Sequence, residues 1–260
     1  MSTDLVTVDI TDAVATITIE QPRTRNALST AVMEALIAAL EEVGSRTDVH
    51  AVVLATAGHV FSSGHDLTEV RAADHAEQQR IFTVCSRLML LVQQIPQPVI
   101  ARVQGVATAA GCQLVATCDL AVAAQSARFA TPGVRIGLFC STPMVALSRA
   151  VPRKHAMRML LTGDMVPADD ARMMGLVSDV VPDEDLVTAT DDLARKVAGA
   201  SSATVAVGKR AFYEQIDLAI EQAYAAMTTV MAENAVSTDA REGIGAFLDK
   251  REPVWQHRTA

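Results

Sequence analysis

The chain of 260 residues is long enough for one large domain or a domain with an appendage, and half of its residues are apolar. A net charge of −8 without a dense Lys/Arg cluster argues against a nucleic-acid partner, and 3% aromatic residues leave no base-stacking platform. No apolar run reaches the length of a membrane span, and MSTDLVTVDI lacks the basic-then-apolar order of a leader, so a cytoplasmic protein with no membrane partner is expected.

The opening residues read as a first strand. Val14–Glu20 then alternates, with Thr16, Thr18 and Glu20 on one face and Ala15, Ile17 and Ile19 on the other. Pro22–Asn26 is a basic turn, and Ser29 or Thr30 can cap a helix that runs to about Val43 and stops at Gly44. A buried strand follows at 51–56, then a glycine-containing loop at 57–64. A long helix over 75–95, with Ile81, Val84, Leu88 and Leu91 at helical spacing, ends at Pro96 and Pro98. Strand 99–103 leads into Gly105, a helix from about Ala109 and a strand at 119–124. This alternation favours a layered α/β architecture.

After about residue 142 helices dominate: 142–151, 153–162 and 168–174, with a strand at 176–181. Beyond Ser201 only helices are expected, one with Ile220, Tyr224, Met227 and Met231 on a face and one with Ile244, Phe247 and Leu248. The pattern slightly favours packing of these stripes onto the core over a subunit interface. The cysteines Cys85, Cys112, Cys118 and Cys140 form no CxxC pair and read mainly as small buried thiols.

Two loops could make a site. Phe61-Ser-Ser-Gly-His-Asp-Leu67 follows a buried strand with small residues, so a ligand can approach its backbone. Taken alone, it also fits an ordinary strand-ending turn. Gly105-Val-Ala-Thr-Ala-Ala-Gly-Cys-Gln-Leu114 is nearly free of side chains where a helix begins. The first N–H groups of that helix would be unpaired and would favour a developing negative charge, although close helix–strand packing demands small residues too.

Taken in order, these segments resemble the crotonase superfamily, the enoyl-CoA hydratase/isomerase family. Asn26-Ala-Leu-Ser29 is similar to its NALS-type motif, Phe61–Leu67 to its F-x-x-G-x-D-[LI] loop, and Gly105–Leu114 with Cys118-Asp119 to its G-x-A-x-G-G-G-C-E-L…C-D segment. Leu161-Thr-Gly163, Ala168–Ala171, Gly175-Leu-Val177 and the ending Phe247–Trp255 match later stretches, so the resemblance covers nearly the whole chain. The strings SSGHDL, ATAAGCQLVATCD and ATPGVRIGLFCSTP resemble one subgroup of the family in particular.

The resemblance implies an α/β crotonase (ClpP-like) fold. It would be a spiral of ββα units over residues 1–200, with a helical oligomerisation region at 201–260 and assembly as a homotrimer or a dimer of trimers. It implies an acyl-CoA substrate whose thioester oxygen sits between the main-chain N–H groups of His65 and Ala110, an oxyanion hole. Backbone donors survive a change of side chain, so His65 and Ala110 can serve where the family usually has Ala and Gly. Ala27, Ser63, Asp66 and Leu67 fall at substrate-binding motif positions. Arg23 and Arg25 would meet the coenzyme A phosphates. Coenzyme A enters as part of the substrate, and neither a separate cofactor nor a metal is expected. A site built from His59, His65 and Asp66 is weaker than a solvated loop. The His65 side chain reads as more often solvent-facing than catalytic, and Asp66 as bonding loop N–H groups.

The chemistry departs from the family pattern. Hydratases of the family use two glutamates, and this chain has Gln113 and Gly133 at those positions. Gln113 lacks useful proton affinity and could at most position a water; Gly133 has no side chain. Ser141 falls near the place of an aspartate used by other members, and an N-cap role for Ser141 or Thr142 is favoured over catalysis. A functional alternative puts Cys140 or Ser141 beside the acyl chain, with the helix N-terminus lowering a thiol pKa. Classical hydration is therefore doubtful. Thioester hydrolysis, decarboxylation and non-catalytic acyl-CoA binding remain as alternatives. There is no G-x-G-x-x-G after a strand, no GK[ST] loop, no G-x-S-x-G elbow and no H-E-x-x-H.

Overall fold

The computed structural model describes residues 5–257. Strands β1 (Val6–Thr11) and β2 (Val14–Ile19) form an antiparallel hairpin. Asp12 and Ala13 at its tip both have positive φ (51° and 61°), as a two-residue type I′ turn requires. Helix α1 (Thr30–Gly44) starts where the Ser29 side chain accepts from Val32 N. It is followed by β3 (Ala51–Thr56), β4 (Val60–Ser62), α2 (Leu67–Ala72) and α3 (His75–Gln94). Next come β5 (Val99–Val103), β6 (Val106–Thr108), α4 (Ala110–Thr117), β7 (Leu120–Ala124), β8 (Arg128–Ala130) and α5 (Ser141–Ala150). Helix α6 (Arg153–Thr162), β9 (Val166–Pro167), α7 (Ala168–Met173), β10 (Asp179–Val181) and α8 (Leu186–Ala198) complete the α/β body. Helices α9 (Ser202–Gln215), α10 (Ile220–Ala235) and α11 (Thr238–Asp249) follow.

Two sheets organise these elements. The first has the order β1-β2-β3-β5-β7-β10 and is parallel after the opening hairpin; the second has the order β4-β6-β8-β9. Each long strand of the first sheet (β3, β5, β7) runs straight into a three-residue strand of the second (β4, β6, β8) and then into a helix. This repeat is the ββα spiral. The corner at Gly105 has no room for a side chain, since a Cβ there would lie 2.1 Å from the His59 carbonyl oxygen. Strand β3 is buried along its whole length, as a parallel strand covered on both faces must be. Val52 and Leu54 join the main core with α1 and α3, while Ala51, Val53 and Ala55 face α8 through Leu186, Ala194 and Ala198.

The short strands β4, β6, β8 and β9 have no counterpart in the sequence reading, because two or three residues are too few to show a period. The strand expected at 176–181 narrows to Asp179–Val181.

The C-terminal stripes do not pack onto the core. Ile220, Tyr224 and Phe247 are 73%, 71% and 83% exposed, and Met231, Ile244 and Leu248 are open too. Helix α10 contributes no buried residue. The sequence pattern could not settle this point, because an apolar stripe looks the same whether its own core or another chain covers it.

One buried ion pair ties α9 to the body. The Lys209 ammonium lies 2.8 Å from Asp119 Oδ2 and donates to the carbonyls of Val92 (2.7 Å) and Gln97 (2.9 Å). Asp119 also accepts from Val99 N and from the Tyr213 hydroxyl. Removing one partner strands the other charge, so Lys209→Met should destabilise the fold by roughly 3–5 kcal/mol. The double variant Lys209→Met/Asp119→Asn should recover part of that loss. Urea unfolding of the two variants against the parent chain checks the order.

Candidate active site

The site begins at Asn26, a fully buried residue with φ 51°. Its side chain accepts from Gln21 N (3.1 Å) and donates to the carbonyls of Ala57 (2.8 Å) and Val60 (2.7 Å). Its own carbonyl accepts from the Ser62 hydroxyl (2.8 Å), which in turn accepts from Gly64 N (3.2 Å). Main-chain bonds from Ser63 N to Arg25 O (3.0 Å) and from Leu28 N to Gly64 O (2.7 Å) complete the seam. The N-A-L-S segment is thus stitched along the FSSGHDL loop, and an asparagine serves because its short amide reaches Gln21, Ala57 and Val60 at once while tolerating positive φ.

The second loop meets the first backbone to backbone. Gly64 has φ 92°, and a Cβ on it would lie 2.8 Å from Ala109 Cβ and 3.2 Å from Ala110 N. A Cβ on Gly111 would lie 2.5 Å from the Ser62 carbonyl oxygen, and the Thr108 hydroxyl donates to Ser63 O (3.1 Å). Ala109 precedes α4 at φ 50°, ψ −118°, with its N–H paired to Ala130 O (2.9 Å). No side chain caps α4. Among the described residues, neither Ala110 N nor His65 N donates to a protein acceptor. Two unpaired amides therefore lie in adjoining segments at the positive end of a helix.

A cavity of ≈ 350 Å³ opens beside them. It is lined by Ser63, His65, Leu67, Phe82 and Ala110 together with Gly133, Arg135, Ile136 and the stretch from Leu138 to Pro143. No Asp or Glu is among the lining residues. The Arg135 guanidinium is engaged outside the cavity, 2.6 Å from Asp164 and 2.9 Å from the Thr162 carbonyl.

Of the residues singled out by sequence, Ser63, His65, Leu67, Ala110, Gly133 and Ser141 meet at this cavity. Arg23 and Arg25 are exposed on the turn before Asn26, make no ion pair among the described residues, and do not line it; nor does half-buried Ala27. Asp66 stands outside it and caps α2, accepting from Thr68 N (2.8 Å) and Glu69 N (3.4 Å).

Several expectations need correction. Gln113 cannot position a water in the cavity: it is only 4% exposed, does not line the space, and its Oε1 lies 3.7 Å from the Cys85 thiol. Ser141 and Thr142 do not cap α5. Cys140 occupies the cap position without a side-chain bond, and the Ser141 hydroxyl turns back toward Phe139 O at 3.4 Å. The Cys140 thiol is not activated by the helix; burial pushes its pKa up. The His65 ring does not face solvent. It packs edge-on against Phe82 with centroids 5.3 Å apart, and its Nδ1 lies 3.4 Å from the Leu28 carbonyl oxygen. Its Nε2 is buried without a partner, and burial lowers its pKa from the ordinary value.

Gly133 has a steric reason to be glycine. A Cβ there would lie 2.0 Å from the Leu138 carbonyl oxygen and 2.8 Å from Cys140 Sγ. Leu138 N donates to Gly133 O (3.0 Å), so the chain folds over the place a side chain would need. Sequence reading missed Phe82, although an aromatic lying off the Ile81–Leu88 stripe was a usable signal. Among the described residues, no group of three His, Cys, Asp or Glu side chains is placed to hold a metal ion.

Known proteins share this sequence pattern and fold. The family model described as Enoyl-CoA hydratase/isomerase matches residues 9–258. The human mitochondrial enoyl-CoA hydratase domain-containing protein 3 is 46% identical over 250 residues, covering 95% of this chain and 82% of its own. The crystal structure of an enoyl-CoA hydratase from Mycobacterium smegmatis superposes with a TM-score of 0.95 at 49% identity, covering 96% of this chain and 98% of that one. The human domain-containing protein 3 structure gives 0.94 at 44% identity, over 96% and 100%. The mitochondrial name of the human relative overturns the cytoplasmic expectation, which had no power here because reduced thiols and a net negative charge do not separate one reducing compartment from another. With crotonase-fold neighbours over nearly its full length and a family match over almost every residue, this chain belongs to the enoyl-CoA hydratase/isomerase family.

Proposed function

We propose that the protein binds an acyl-CoA thioester with its carbonyl oxygen between the N–H groups of His65 and Ala110, and that it does not run two-carboxylate hydration. The observation that carries this reading is the pair of unpaired amides beside an apolar cavity with no carboxylate in its wall. Donors fixed by the fold stabilise negative charge on a thioester oxygen without reorganising during reaction. Coenzyme A enters as part of the substrate. Its phosphates fall to Arg23 and Arg25, the exposed cations next to Asn26. The cavity lining offers no uncommitted cation, which disfavours an acyl group carrying its own carboxylate, as a decarboxylase substrate would.

The exposed faces of α10 and α11 support assembly into a homotrimer or a dimer of trimers. Isolated apolar side chains are ordinary on a surface, but a helix with no buried residue and several open large ones needs a partner. Sedimentation velocity should give a mass of three or six chains, and Tyr224→Glu/Phe247→Asp should release smaller species. A monomeric parent chain at micromolar concentration would refute the assembly.

Binding and hydration can be tested separately. Calorimetry should detect acyl-CoA binding, while crotonyl-CoA hydration should lie at least about 10²-fold below that of a family hydratase with both glutamates. Ordinary turnover would remove the argument from Gln113 and Gly133. Ala110→Pro deletes one donor at the first helical position and should weaken thioester binding about three- to tenfold. Unchanged affinity would place the hole elsewhere.

Reinstating the glutamates should also fail. Gly133→Glu must push the chain at Leu138 aside, so Gln113→Glu/Gly133→Glu should lower the melting temperature and leave hydration near background. A gain of hydratase turnover of about 10²-fold or more in that double variant would show that the wall yields.

A further inference from the structure

Four residues of the cavity lining are at once large, apolar and exposed: Leu67, Ile136, Leu138 and Phe139. We propose that they make the cavity selective for an unsubstituted aliphatic acyl chain of about eight to ten carbons; the inference rests on the acyl-thioester reading above.

Three of the four fall within Ile136–Phe139, a stretch that the backbone holds in place. Residues Pro132–Ile136 form a 3₁₀ turn, which Gly137 ends at φ 77°. Gly137 N donates to Val134 O (3.3 Å), Leu138 N to Gly133 O (3.0 Å) and Ser141 N to Phe139 O (2.8 Å). The Arg135 guanidinium, bonded to Thr162 O and to Asp164, ties the same turn to the end of α6. The apolar side chains are thus kept in water by a fixed main chain, and a ligand that covers them needs no ordering of the loop.

Single exposed apolar side chains are ordinary on a protein surface. These four differ because they share one cavity with His65 and Ala110, whose amides lack protein acceptors. The acyl carbons of a thioester held by those amides enter the same space, and covering wet apolar surface there favours binding.

Chain length follows from the room available. At about 30 Å³ for each heavy atom, the share of one water molecule in the liquid, a cavity of ≈ 350 Å³ takes about a dozen heavy atoms. A butyryl thioester would fill only about half of that space, and an octanoyl or decanoyl thioester most of it. The wall also rejects a charged chain end. No Asp or Glu lines it and Arg135 is committed to Asp164, so a carboxylate brought in on the acyl group would lose water without gaining a partner.

The test compares butyryl-CoA, octanoyl-CoA, suberyl-CoA (the octanoyl chain with a terminal carboxylate) and free coenzyme A by calorimetry on the full chain. Each buried methylene should tighten binding about three- to fourfold, so octanoyl-CoA should bind at least about 20-fold more tightly than butyryl-CoA. Suberyl-CoA should lose most of that gain. Leu138→Ser/Phe139→Ser alters two exposed side chains and should cut the octanoyl-over-butyryl preference about fivefold or more. Equal affinity for butyryl-CoA and octanoyl-CoA, or for octanoyl-CoA and suberyl-CoA, overturns the proposal and leaves the thioester reading standing. An unchanged preference in the double variant overturns the assignment to these side chains, and a changed sedimentation mass beside it would give them to subunit packing instead. If no acyl thioester binds more tightly than free coenzyme A, the thioester reading falls and this inference with it. Should the double variant fail to fold, Leu67→Ser replaces it, with a reduced preference expected and an unchanged one overturning the proposal.

Discussion

Everything at the site depends on two backbone segments meeting with almost no side chain between them. Gly64 and Gly111 are the contact points, and a single Cβ at either would fall within 2.8 Å of the opposing loop. Because main chain faces main chain, the amides of His65 and Ala110 end up in adjoining segments without protein acceptors. Leaving N–H groups unpaired is costly, about 1–3 kcal/mol for each fully buried one. The fold offsets that cost by over-determining the loops around them. Asn26, Ser62 and Thr108 spend their hydrogen bonds on main-chain groups of this region rather than on anything facing the cavity.

Ala109 illustrates the same constraint from another side. Its backbone (φ 50°, ψ −118°) is uncommon for a residue with a Cβ and costs on the order of 1–3 kcal/mol. The strain is held by the bond from Ala109 N to Ala130 O, and its Cβ occupies the space that Gly64 leaves open. Glycine at one position and alanine at the other form a matched pair. A second methyl would collide at 2.8 Å, whereas removing the first would open a small void beside the amides.

Much of this was legible in the sequence, for a definable reason. Strand and helix periods, the cap at Ser29 and the proline stops at 96 and 98 are local signals, and the elements they mark were placed to within a few residues. The two site loops stood out because side-chain-poor runs at strand ends have few uses. Three features were not legible. The three-residue strands of the second sheet carry no period. The side-chain directions of His65 and Gln113 depend on neighbours more than ten residues away, Phe82 for one and Cys85 for the other. The α10 and α11 stripes are exposed in the single chain, and an apolar stripe reads the same in sequence whichever surface it meets.

The fate of the two glutamate positions shows why residue types must be read together with the space around them. Gly133 is more than a missing carboxylate. The chain from Leu138 to Cys140 fills the space its side chain would need, and the same stretch lines the apolar cavity. Gln113 has likewise turned into the interior, where it pairs with a thiol that burial pushes up to about 12, so neither partner exchanges protons near neutrality. With both family glutamate positions absorbed into packing, the cavity wall carries no carboxylate. Such a wall supplies no carboxylate pair to activate a water and deliver a proton at once, while two fixed main-chain donors remain for charge that develops on one oxygen.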